Sequence, residues 1–365
     1  MEFCISRPSG SRFNALVSRY IAFSLRWSTA DSHCDFQNCL ERFDAEAGEN
    51  DAKLIAFPEL WIPGYPNYIH AHAEKACTEY NLKYYRNAIN LDSEHMERIR
   101  LGARAAKIMV VLGFAERDRG SLYMSQTFIG PDGDVLLHRR KFKPTAQERI
   151  IFGDASGDCA KNVVATPIGR VGGLQCFEHF QPLLKYNTYC QGEQIHVASW
   201  PNLFDPVGKM PLFNSREPCT WASHTLAVEG GTFVLLASSI QTEKGLVAHG
   251  LAADSDTEEK PHTAIIGGGF SEIIAPDGRT LVKSSSSTFD GIIYGELDFN
   301  EIYIAKSSVD PVGHYSRPDI FTLHVNDTIN SHTIIAEQKN SFDNLSKFPA
   351  LPVEKSQRAS DPQNI

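Results

Sequence analysis

Three residues in this sequence pair a reactive side chain with a local setting that would sharpen it. Cys176 lies in GGLQCFEHFQP, directly after an apolar run and before a segment rich in helix formers. A thiol at a strand end is presented to a cleft on rigid backbone, and the N–H groups that follow can donate to a developing anion. A lone intracellular cysteine fits a small buried hydrophobe equally well. Glu59 closes the run KLIAFPE. A carboxylate pressed against Phe57, Leu60 and Trp61 would lose solvation and become a stronger base; a solvated loop glutamate is the alternative. Lys141 lies in HRRKFKPTAQER at the end of a hairpin strand. Its ammonium could stabilise the anion formed when a thiolate attacks an unsaturated carbon, or belong to a solvated edge cluster. Taken singly, none of the three decides a function.

The elements that would carry them follow from pattern. Lys53 to Phe57 (KLIAF) reads as a buried parallel strand, ended by Pro58 and a loop held open by Pro63, Gly64 and Pro66. Ser93 to Lys107 predicts a helix, with Met96, Ile99, Ala103 and Ala106 on one face, and Ile108 to Phe114 the next strand. Leu122 to Gly130 and Asp134 to Arg140 flank Pro131-Asp132-Gly133, a hairpin turn in which Pro presets φ and Gly accepts a positive one. The design recurs, with Gly269 to Ala275 and Arg279 to Ser284 around Pro276-Asp277-Gly278. Buried strands are predicted at Val171 to Gln175, Ile195 to Trp200 and Thr232 to Ser238. A helix is predicted over Glu217 to Glu229, with Trp221, Ala222, Thr225 and Val228 facing inward. A repeated hairpin-plus-helix arrangement implies an α/β protein with two sheets, each covered by helices.

Bulk properties narrow the class. The chain has 365 residues, 42% hydrophobic and 22% charged, an ordinary globular composition, with a formal net charge of -9. An acidic surface of that kind argues against a nucleic-acid partner. No apolar run reaches the roughly 18–20 residues that span a bilayer, so no membrane role is expected. Eight cysteines without a C-x-x-C pair suggest neither a zinc cage nor a disulfide framework. A reducing, cytoplasmic setting is expected. Arg7, Arg12, Arg19 and Arg26 among serines leave an organellar transit segment as the alternative. The tail beyond Asn330 is rich in Ser, Asn and Lys and reads as a flexible or self-association segment.

The candidates gain force as an ordered set. AFPELWIPGYP, HRRKFKPTAQER, CFEH, GEQIHVASWP, GGGF with its PDG turn, and DPVGHYSRPD follow one another between Lys53 and Val325. Together they resemble the nitrilase branch, bacterial and fungal in type, of the nitrilase superfamily of carbon-nitrogen hydrolases. The resemblance implies a four-layer αββα sandwich over residues 35–329, between an irregular segment, 1–34, and a polar tail, 330–365. It also implies that Cys176 is the nucleophile, Glu59 the general base, Lys141 the stabilising cation, and Glu148 a second glutamate holding the site's hydrogen bonds. Phe177, His179, Trp200 and Tyr65 are the implied substrate-binding residues, and no metal or organic cofactor is implied. Homodimers formed through helices beside the site, and spirals built from them, are common in such proteins.

The implied reaction is hydrolysis of an organic nitrile to a carboxylic acid and ammonia through a thioimidate and a thioester. A cyanide hydratase, an aliphatic amidase, or an inactive filament-forming homologue are the alternatives. Aromatic residues at Trp61, Tyr65, Tyr68 and Tyr186 favour aryl or arylaliphatic nitriles. His196 is expected to support the pocket, and Arg317 to pair with Asp319. Two departures stand out. Phe177 replaces the usual tryptophan. The opening strand is poorly marked, Tyr20 to Leu25 being the only candidate, with a helix over Asp35 to Ala47; a truncated first strand would expose a sheet edge.

Overall fold

The computed structural model describes residues 12–19, 52–70, 76–206, 210–251 and 265–330, with 12–19 and 76–77 described by backbone alone. Within these residues the chain forms two six-stranded sheets. The first has the order β12-β1-β2-β3-β4-β5 and the second β11-β10-β9-β8-β7-β6.

In the first sheet, β1 (Arg12–Arg19), β2 (Leu54–Ala56) and β3 (Met109–Asp118) run parallel. β4 (Ser121–Ile129) and β5 (Val135–Arg140) continue as an antiparallel meander, and β12 (Gly291–Asp298) closes the far side against β1. In the second sheet β7 (Gly169–Gln175), β8 (Ile195–Trp200) and β9 (Phe233–Ser238) are parallel. They are flanked by β6 (Val163–Thr166) on one side and by β10 (Glu272–Ile274) and β11 (Thr280–Lys283) on the other. Both Pro-Asp-Gly turns form as expected. Gly133 at φ 84° and Gly278 at φ 85° take the left-handed conformation that the turns require.

The parallel strands are buried on both faces, which is why they read as continuous apolar runs. Leu54, Ala56, Met109, Val111 and Phe128 of the first sheet pack directly on Val171, Val197, Phe233 and Leu235 of the second. Helix α2 (Glu94–Ala106) covers the first sheet's outer face with Met96, Ile99 and Ala103, after the shorter α1 (Asn81–Asn87). Ser93 caps α2 by accepting from the Met96 N–H at 3.3 Å. Helices α3 (Pro182–Cys190) and α4 (Arg216–Gly230) cover the second sheet, and α5 (Glu243–Ala248) and α6 (Asn300–Ser308) complete the set. Helix, sheet, sheet and helix are the four expected layers.

Two expectations are revised. The first strand is Arg12–Arg19, and it lies inside the sheet between β12 and β2, so no edge opens there. Tyr20 to Leu25 and the helix expected over Asp35 to Ala47 fall outside the described residues, as does the tail from 331 onward. Helix α4 keeps Ala222 inward as expected but leaves Thr225 exposed and otherwise turns a different face to the sheet. Cys219, Ala222, Ser223, Leu226 and Ala227 are buried, whereas Trp221 and Val228 are exposed. The small residues let the helix approach closely: a Cβ on Gly230 would sit 3.1 Å from the Tyr189 ring. Among the described residues, no helix is long and apolar enough to cross a membrane.

Candidate active site

Lys141 and Cys176 each follow directly on a strand, β5 of one sheet and β7 of the other, and Glu59 lies three residues beyond the end of β2. The sandwich thus brings them to one end of the molecule. Hydrogen bonds between the sheets fix the approach. The Met124 carbonyl accepts both the Lys141 N–H at 2.7 Å and the Gln175 side-chain amide at 3.2 Å. Gln126 donates to Ser199 at 3.0 Å, Ser199 donates to the Phe57 carbonyl at 2.9 Å, and the Glu59 N–H reaches the Trp200 carbonyl at 3.3 Å.

At the centre lies the ammonium of Lys141, fully buried, 2.9 Å from Glu59 Oε1 and 2.8 Å from Glu148 Oε2. Carboxylate oxygens of Glu59 and Glu148 and the Cys176 Sγ all lie within 4.8 Å of one another. The Lys141 ammonium already lies against both carboxyl groups of this trio. Glu148 is held firmly, accepting from the Tyr65 hydroxyl at 2.9 Å and from the Thr145 N–H at 2.6 Å. Apart from the Lys141 ammonium, no group among the described residues donates to Glu59.

Electrostatics separate the roles. Burial pushes Glu59 up to about 8, with the nearby Glu148 adding to the effect and Lys141 opposing it. Burial also raises the Cys176 thiol well above its usual range, and Lys141 again opposes the shift. Burial disfavours the Lys141 charge, but Glu148 and Glu59 outweigh that and hold the ammonium firmly protonated.

The backbone is strained where the chemistry would occur. Cys176 adopts φ 49°, Leu60, beside Glu59, φ 49°, and Ala146, near Glu148, φ 44°. Left-handed conformations cost a non-glycine residue about 1–2 kcal/mol, so neighbouring bonds must enforce them. At Cys176 that support comes from Glu178 on the following 3-10 turn. Its carboxylate accepts from the Gln175 N–H at 2.9 Å, the Phe142 N–H at 2.9 Å, and Arg139 at 2.9 and 2.6 Å. One buried carboxylate therefore ties the residue before the nucleophile to the residue after the lysine.

Cys176 and Glu148 open onto a cavity of about 110 Å³, lined also by Tyr65, Phe177, Trp200 and Phe204. Glu59 and Lys141 do not line it. Of the expected substrate-binding residues, His179 does not line the cavity. Its ring stacks on Trp200 at 5.0 Å, and its Nδ1 meets the Cys176 carbonyl at 2.7 Å. Among the aromatics offered as lining, only Tyr65 does so. Trp61 and Tyr68 are core residues, and Tyr186 lies on α3 away from the cavity. Arg317 and Asp319 pair as expected, at 2.7 Å, on the exposed surface.

The same arrangement has relatives. The family model for carbon-nitrogen hydrolases matches residues 25–306. The chain belongs to the carbon-nitrogen hydrolase family. This hydrolase is 44% identical over 299 residues to an arylacetonitrilase of Hypocrea virens, covering 81% of this chain and 88% of that one. It is 42% identical over 285 residues to an aliphatic nitrilase of Rhodococcus rhodochrous, covering 77% and 75% respectively. In fold it is similar to the carbon-nitrogen hydrolase of Helicobacter pylori, with a TM-score of 0.62 at 15% identity, over 85% of this chain and 97% of that one.

Sequence reasoning missed Arg139, Glu178, Gln126 and Ser199, which hold the hydrolase's site together. The one local signal was Glu178, three residues after Gln175, where its side chain completes a capping box.

Proposed function

We propose that this protein is a nitrilase that converts aryl or arylaliphatic nitriles to carboxylic acids and ammonia, with Cys176 as nucleophile. The observation that carries the reading is the cluster of Glu59, Glu148 and Cys176 within 4.8 Å of one another around a buried lysine. The arylacetonitrilase of Hypocrea virens, similar over most of both chains, supports the substrate class, as do Tyr65, Phe177, Trp200 and Phe204 around the cavity.

In this reading Glu59 takes the thiol proton of Cys176 as sulfur adds to the nitrile carbon, and the proton passes to the nitrogen to give a thioimidate. Glu59 then deprotonates a water that attacks the same carbon. Glu59 returns that proton to the nitrogen, the new hydroxyl gives up its own proton to the same nitrogen as the C–N bond breaks, and ammonia leaves a thioester. A second water, activated in the same way, releases the acid and restores the thiol. Should the C–S bond break before ammonia leaves, the product is the amide. Lys141 and the N–H of Phe177 stabilise the charged adducts, a contribution of about 3–4 kcal/mol per donor in comparable sites. Glu148 holds Lys141 in place and keeps it charged.

The test is a panel of phenylacetonitrile, an aliphatic nitrile, an amide and cyanide, with acid, amide and ammonia all quantified. Wild type should release ammonia and acid from phenylacetonitrile, and Cys176→Ala should release neither while melting as wild type does. Turnover by that variant would overturn the mechanism; preference for the amide or cyanide would overturn the substrate class. Self-association is also part of this reading. Phe180, Leu183, Leu212, Phe213 and Trp221 are exposed on α3, α4 and the turns beside them, which supports a homodimer formed there and read by light scattering.

A further inference from the structure

Joined to the Cys176 carbonyl is a chain of three buried polar side chains that the reaction does not use. His179 Nδ1 meets the Cys176 carbonyl at 2.7 Å, His179 Nε2 meets His196 Nε2 at 3.1 Å, and His196 Nδ1 meets Glu193 Oε2 at 2.8 Å. His179 is 1%, His196 0% and Glu193 2% exposed. The carboxylate has room only because β7 carries a glycine there. A Cβ on Gly172 would lie 2.3 Å from Glu193 Oε2, and Gly172 pairs with His196 across the β7–β8 ladder.

With Glu193 ionised, counting protons fixes the state of this chain. A carbonyl only accepts, so His179 Nδ1 carries hydrogen. A carboxylate only accepts, so His196 Nδ1 carries hydrogen too. The contact between the two Nε2 atoms then needs a third proton, since two bare lone pairs at 3.1 Å would repel. Two neutral imidazoles hold only two ring protons. The pair therefore carries one more, and its positive charge is balanced by Glu193. Other cations near by are already engaged: Arg139 pairs with Glu178 and Lys185 with Glu229. Among the described residues, the one ion-pair partner of Glu193 is His196. Burial and the neighbouring His196 disfavour a charge on His179, and of the two rings His196 is the one that touches the carboxylate.

We propose that Glu193, His196 and His179 form a proton-sharing relay that positions Cys176: the carboxylate holds His196 as an imidazolium, His196 orients His179, and His179 anchors the Cys176 carbonyl. That carbonyl is the point where strand β7 turns into the strained left-handed step at φ 49°. Releasing it would let the peptide rotate, and with it the direction of Sγ and of the Phe177 N–H. These are positioning residues. They do not touch the cavity that substrate would occupy.

This inference rests on the reading of Cys176 as nucleophile, so its test is read without a nitrile as well as with one. In protein labelled with ¹⁵N-histidine, the relay contributes three slowly exchanging ring N–H protons, assigned by their loss in His179 and His196 variants. Glu193→Gln should reduce them to two, because an amide N–H donates to His196 Nδ1 and the extra proton is no longer needed. Two in wild type would overturn the proton count.

His179→Asn keeps a donor where Nδ1 stood, whereas His179→Leu removes it. The first should retain iodoacetamide alkylation of Cys176 and kcat near wild type. The second should lose about tenfold in both, the rate equivalent of one such hydrogen bond, at little change in KM. Equal alkylation rates in the two variants would overturn the positioning role. A protein with an intact relay and no nitrile turnover would instead overturn the function proposed above.

Discussion

A carboxyl held near 8 must limit a reaction in which it serves as base, and this makes pH the sharpest probe of the site. If Glu59 acts as its carboxylate, kcat/KM follows the ionised fraction. With burial pushing the group up to about 8, that fraction is about 1% at pH 6, about 10% at pH 7 and half at pH 8. Phenylacetonitrile does not titrate in this range. Ammonia release at low substrate should therefore rise about tenfold per unit between pH 6 and pH 7 and level off above pH 8. The limb belongs to the coupled set of Glu59, Cys176 and Lys141 rather than to one atom.

Stability should move the other way. The folded state holds the Glu59 proton more tightly than the unfolded chain, whose carboxyl titrates near its ordinary 4.5. The stability from this group is complete below that value and is lost as pH rises through about 8. Activity and melting temperature thus diverge over the same interval. The source of the shift is open to test. Two carboxylates within 4.8 Å repel by about 3 kcal/mol at an effective dielectric near 20, roughly two pH units. Glu148→Gln removes that repulsion and should carry the residual activity's limb to lower pH. A profile flat from pH 6 upward, or a limb near 4.5 in wild type, would refute the assignment of Glu59 as a buried base.

The remaining predictions concern the scaffold. Arg139→Met leaves the Glu178 carboxylate buried and unpaired, which should cost about 3–5 kcal/mol, or roughly 10 °C in melting temperature. Adding Glu178→Gln, which keeps an acceptor for the Gln175 and Phe142 N–H groups, should recover at least half; an unchanged melting point in the single variant would remove the pair from the stability argument. Gly113 lies under the loop that carries Glu59, and an added Cβ would fall 2.2 Å from the Pro58 carbonyl oxygen. Gly113→Ala should therefore displace Glu59 and lower kcat by about tenfold or more; wild-type kcat in that variant would show that the loop tolerates the shift.

How much of this was legible beforehand depends on whether a residue's role is set by its neighbours in sequence or by distant ones. The parallel strands were readable because burial on both faces leaves continuous apolar runs, and the turns because Pro-Asp-Gly fits one backbone geometry. Cys176, Glu59, Lys141 and Glu148 were readable only as an ordered set, since each alone is a common residue in a common setting. Face assignment in α4 failed at Trp221 and Val228 because it favoured larger side chains, whereas close packing on the second sheet selected Cys219, Ser223 and Ala227 beside the expected Ala222. Arg139 and Glu178 are 39 residues apart, one on β5 and the other on the 3-10 turn after β7, so no periodicity connects them.

Glu193 and His196 mark the same limit more finely. Their spacing resembles any local pair near a strand start, and their meaning depends on His179 standing opposite and on Gly172 leaving space. Reactive groups could be read from the sequence because the chemistry restricts which residue types can serve. The residues that hold those groups at a strained angle are restricted only by geometry, and that becomes visible once the two sheets are face to face.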